Sequence, residues 1–260
     1  MENFFTQFDG LVLCALLLLP LLWLQRGLHR EIQAIFLLLT RRAEISYMIF
    51  SLLFLPGVFL HELSHFLMAR LLGVRTGRFS LIPKPMDNGR LQLGAVETAS
   101  SDLIRDALIG AAPLLSGGAF VIFAGIFKLE LQSLWTRLAA GGVTELLKGR
   151  LSDVSKAPDF WLWFYLTFVV SSTMLPSASD RRAWRPLIFI GILLLAIVIL
   201  SGLGTWFLNH LAPYLNQALR TAALVFGISG AIHVVLILPV WLIRKMISRI
   251  LGLKVQSVKW

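Results

Sequence analysis

The chain has 260 residues, 57% of them hydrophobic and only 15% charged, with a formal net charge of +10 and a mean hydropathy of +0.78. Soluble domains use about 45–50% apolar residues, so this composition excludes an ordinary soluble enzyme and points to a polytopic membrane protein. The basic excess does not select nucleic acid, because Lys and Arg are spread over short loops and a tail beside apolar runs, where anionic lipid headgroups are the simpler partner.

A span needs about 20 mostly apolar residues, and the first candidate covers residues 4–24. It lacks the basic start and small-residue cleavage pattern of a secretory signal, so it is expected to be a retained helix. Cys14, the single cysteine, lies within it and can form no intrachain disulfide. Residues 25–44 place Arg26, Arg30, Arg41 and Arg42 around a short apolar centre and read as an interfacial helix. The second span, 45–72, contains His61-Glu62-Leu63-Ser64-His65.

Residues 73–101 differ in kind. Phe79-Ser80-Leu81-Ile82 and Leu91-Gln92-Leu93 flank Pro83, Pro85 and the turn signal Asp87-Asn88-Gly89, which predicts a β-hairpin or small sheet at the membrane surface. A third span follows at 104–127, where Gly110, Gly117 and Gly118 would permit close helix approach. The polar loop 128–158 is too short for an inserted domain of ordinary size. Further spans are expected at 158–176, 187–208 and 220–243. Trp161, Trp163, Trp184, Trp206 and Trp241 lie near span ends, as aromatic belts do.

The fold expected is therefore all-α and polytopic, with about six transmembrane helices and a small hairpin between the second and third. Its parts are an N-terminal helix and interfacial segment (1–44), a membrane core (45–185), and C-terminal helices with a basic tail (186–260). Basic residues in the tail (Arg244, Lys245, Arg249, Lys254, Lys259) and after the fourth span (Arg181, Arg182, Arg185) predict that both face the cytoplasm of a cell-membrane protein. No oligomeric state is assigned.

In a helix, positions four apart share a face, so His61 and His65 can present nitrogens to one metal ion with Glu62 beside them. This is the zincin arrangement. Ionisable groups at membrane depth cost roughly 2.5–3.5 kcal/mol each, so such a cluster requires a compensating partner. A catalytic zinc keeps three protein ligands, and Asp180, just past the fourth span, is the candidate third. The alternatives are a metal-free polar cluster closing the bundle, and an Asp180 that caps a turn or pairs with Arg181 or Arg182. His233, in the last span, is expected to hydrogen-bond across helices. His210 receives no role.

These residues resemble the site-2 protease family of intramembrane zinc metalloproteases. The likeness covers residues 45–185: HExxH at His61 to His65, a small-residue and proline stretch at Gly110-Ala111-Ala112-Pro113, and a Pro176 to Asp180 segment similar to the family's aspartate motif. The resemblance implies that His61, His65 and Asp180 bind zinc, that Glu62 is catalytic, and that the substrate is a transmembrane or juxtamembrane segment of another membrane protein. The family's asparagine before the proline has no counterpart, and Ser172 or Thr173 is the expected substitute; Arg181 stands where the family has glycine. An unwound substrate would add as a strand to the 79–93 edge. The alternative is a non-proteolytic zinc-binding homologue acting as a binding or regulatory partner. A transporter is disfavoured, because the two halves of the chain do not resemble each other.

Overall fold

A computed structural model describes residues 8–85, 91–129, 131 and 159–253. They form seven helices: α1 (Asp9–Thr40), α2 (Ala43–Leu71), α3 (Leu103–Phe127), α4 (Phe160–Thr173), α5 (Trp184–Leu200), α6 (Gly204–His210) and α7 (Ala212–Ile250). Of these, α1, α2, α3 and α7 are long and apolar enough to cross a membrane, and α5 with α6 makes a fifth candidate bent by 117°. The coarse all-α class is as expected, and the described residues contain four or five candidate spans where about six are expected from the sequence. The fourth expected span is a helix of 14 residues. The fifth breaks at Ser201 to Leu203, where Gly202 adopts a left-handed φ of 77° that ends the helix.

The interfacial segment expected at 25–44 is likewise replaced. α1 runs unbroken through it to Arg41, whose left-handed backbone returns its N–H to the Leu37 carbonyl. Leu21, Leu28 and Ile32 are all buried, at spacings of two helical turns and one. That stripe packs on the bundle, so burial against protein overrides the amphipathic surface reading.

Between α2 and α3 lie β1 (Thr76–Ser80), β2 (Lys84–Pro85), β3 (Leu91–Gln92) and β4 (Ala95–Thr98). β1 pairs antiparallel with β4, and β2 with β3. The Asp87-Asn88-Gly89 turn and nearly all of the 128–158 loop fall outside the described residues. α3 begins at a side-chain cap, with Asp102 accepting from the N–H groups of Ile104 and Arg105.

Contacts between named residues fix the helix directions. Asp9 pairs with Arg220 and Glu31 with Arg244, so α1 and α7 run parallel. His29 stacks edge-on against Phe50 and Phe54, and the Ser46 hydroxyl reaches the Gln33 carbonyl, so α2 returns antiparallel to α1. The Tyr165 hydroxyl donates to the Leu53 carbonyl and Thr173 meets His61, so α4 follows α2. On α3, Gly118 lies beside Val225 and Gly125 beside Ile228, so α1, α3 and α7 run one way and α2 and α4 the other. The α5–α6 pair begins at the end where α4 stops and delivers the chain to the same end for α7. The 181–185 arginines and the Arg244 to Arg249 segment therefore sit at opposite ends of the helix bundle.

Candidate metal centre

Helix α2 carries His61, Glu62 and His65 toward α3 and α4. At Gly57, one turn before His61, a β-carbon would collide with the Val169 carbonyl, so the missing side chain lets α4 lie directly against α2. The α4 terminus then meets the first imidazole: His61 Nδ1 is 2.7 Å from the Thr173 carbonyl oxygen. His65 Nδ1 is 2.8 Å from the Ile109 carbonyl oxygen on α3. A carbonyl only accepts, so both Nδ1 atoms carry a proton, and in the neutral imidazoles both Nε2 atoms present lone pairs.

Local sequence explains why those two carbonyls are open. In a helix the Ile109 carbonyl would accept from the N–H four residues on, but that residue is Pro113, which has none. Thr173 is the last residue of α4, and terminal helical carbonyls lack intrahelical donors.

The two Nε2 atoms lie 3.2 Å apart. Asp180 completes the group, with Oδ1 at 3.5 Å from His65 Nε2 and Oδ2 at 3.7 Å from His61 Nε2. All three ligand atoms lie within 4.8 Å of one another, an arrangement that could hold a metal ion. Two nitrogens each about 2.0–2.1 Å from a tetrahedral zinc are about 3.3 Å apart, so the spacing fits that ion.

Asp180 reaches the site through a tight turn in which its Oδ2 accepts from the Ser177 N–H at 2.7 Å. Arg181 bends back to the Ser177 carbonyl. The turn seats on α3 at Gly110, where a β-carbon would collide with the Asp180 carbonyl oxygen, and at Gly117, where it would lie 2.5 Å from Met174 Cβ.

Glu62 is buried beside the pair. Gly94, between β3 and β4, covers it so closely that a β-carbon there would lie 2.9 Å from Glu62 Oε1. Nothing in the residue pattern signals this contact or the role of the Ile109 and Thr173 carbonyls, although Pro113 is a readable signal for the first. The hydroxyls expected to replace the missing asparagine are committed elsewhere: Ser172 Oγ is 3.0 Å from His233 Nε2, and Thr173 Oγ1 donates to the Val169 carbonyl. His233 thus does bond across helices. His210 sits in α6, against Trp206 and away from the site.

No protein-family model matches this chain, and comparisons with curated proteins and with solved structures give no match.

Proposed function

We propose that the protein is an integral-membrane zinc endopeptidase of the site-2 protease type, cutting transmembrane or juxtamembrane segments of other membrane proteins. One observation carries the reading: two imidazole lone pairs and a carboxylate converge, with each Nδ1 already committed to a backbone carbonyl. Acceptors facing one another repel unless a cation lies between them. His61, His65 and Asp180 would hold it.

A zinc ion there would supply Lewis acidity and an activated water molecule. The protein's own groups do the rest. The two carbonyls fix the imidazole rings, so that little reorganisation is needed when charge develops. The Glu62 carboxylate, adjacent to the histidines and covered by Gly94, takes a proton from water and returns it to the leaving amine. The β3–β4 segment against Glu62 offers open backbone to a locally unwound substrate.

Helices α1, α2, α3, α4 and α7 are proposed to cross the bilayer with alternating direction. Their basic ends meet anionic headgroups, and nucleic acid has no part. A second reading, a zinc-binding homologue that does not cut, is favoured by the commitment of the Ser172 and Thr173 hydroxyls to structural bonds. Glu62→Gln separates the two. In proteoliposomes with a labelled transmembrane substrate, the variant should keep its zinc and lose cleavage. Undiminished cleavage by that variant, or a zinc-loaded wild type inert toward every helical substrate tried, would defeat the protease assignment.

A further inference from the structure

Ser172, next to the residue that orients His61, is gripped from two helices outside the metal cluster. Its carbonyl cannot receive the usual helical N–H, because the residue four positions on is Pro176. Gln25 of α1 donates its side-chain N–H to that carbonyl instead. Its hydroxyl is taken by His233 of α7, 3.0 Å away, while His233 Nδ1 lies 2.7 Å from the Ser229 carbonyl. The Ser229 carbonyl only accepts, so His233 Nδ1 carries the proton and Nε2 accepts from Ser172. Both Ser172 and His233 are buried, where hydrogen-bond geometry is held by surrounding packing.

Thr173 follows immediately, and its carbonyl is the acceptor for His61 Nδ1. The chain of contacts is therefore continuous from α7 and α1, through the last turn of α4, to a ligand of the proposed metal. From this geometry we infer that His233, assisted by Gln25, is a positioning residue for His61: it fixes the α4 terminus so that the Thr173 carbonyl holds the imidazole with Nε2 aimed at Asp180 and His65. The inference rests on the proposed metal reading. It accounts for two polar side chains of α1 and α7 that take no part in ligation. Partners that orient a ligand in this way change metal affinity about 10–100-fold when removed.

The test measures Co2+ binding to the full-length, detergent-solubilised protein by absorption spectroscopy and chelator competition. His233→Ala should weaken Co2+ binding at least tenfold and shift the visible ligand-field bands, because one imidazole is misdirected. His233→Gln, which can still accept from Ser172, should recover most of the affinity and the wild-type band positions. Asn216→Ala, which loosens the same α1–α7 pair by removing its bond to Gly10, should lower thermal stability and leave the bands unmoved. Wild-type affinity and spectrum in His233→Ala would overturn the positioning role alone, as would an equal band shift in Asn216→Ala. Absence of any Co2+ or Zn2+ uptake by the wild-type protein would overturn both this role and the metal reading beneath it.

Discussion

His65 Nδ1 lies 2.8 Å from the carbonyl oxygen of Ile109, a carbonyl freed because Pro113 interrupts the hydrogen-bond ladder of α3. Pro113→Ala should restore an N–H that competes for that oxygen. Proline costs about 3 kcal/mol relative to alanine in a helix interior, so the thermal midpoint should stay level or rise. Zinc affinity should fall by about tenfold as His65 loses orientation. Chelator competition beside a melting curve reads the two opposite signs.

Gly110 and Gly118 make a controlled pair. A β-carbon at Gly110 meets the Asp180 carbonyl, whereas at Gly118 the nearest atom is Val225 Cγ2 at 3.6 Å, ordinary contact. Gly110→Ala should displace the Asp180 turn, costing about 1–3 kcal/mol as overpacking does and weakening metal binding. Gly118→Ala should leave both near wild type. Metal content and melting of the two variants, measured side by side, check this.

Gly94→Ala should act on the reaction rather than on the metal. Its β-carbon would stand 2.8 Å from Glu62 Cγ, and the flexible Glu62 side chain is what must shift. Bound zinc should be unchanged while cleavage slows by tenfold or more. Turnover normalised to zinc content reads the effect.

Asp102 gives a pH dependence whose sign is fixed. Hydrogen bonds from the N–H groups of Arg105 and Ile104, with the Arg105 charge, hold its carboxyl below the ordinary value of 3.8. A depressed pKa contributes stability that is present above the ordinary value and lost as pH falls through the lowered one. Asp102→Ala should therefore melt below wild type at pH 7, with the gap closing below about pH 4. A gap independent of pH would remove the cap from the account.

The grouping of His61, His65 and Asp180 was legible because its signals are local. A four-residue histidine spacing and an aspartate after an apolar run need no knowledge of packing. The helices around them were harder. α1 reads as a span plus a surface segment because Arg26 and Arg30 interrupt its hydropathy, yet Leu28 and Ile32 bury against neighbours that only the assembled bundle supplies. The fifth span looked continuous because Gly202 carries no charge, although its backbone turns the chain by more than a right angle. Carbonyl acceptors such as Ile109 and Thr173 carry no side-chain signature, and only proline placement hints at them.

The most direct test is metal analysis of the purified wild-type protein beside His61→Ala, His65→Ala and Asp180→Ala. Stoichiometric zinc in the wild type, with large losses in all three variants, is the expected result. A wild type that carries no zinc after metal loading, or an Asp180→Ala variant that retains it in full, would contradict the site on which this account rests.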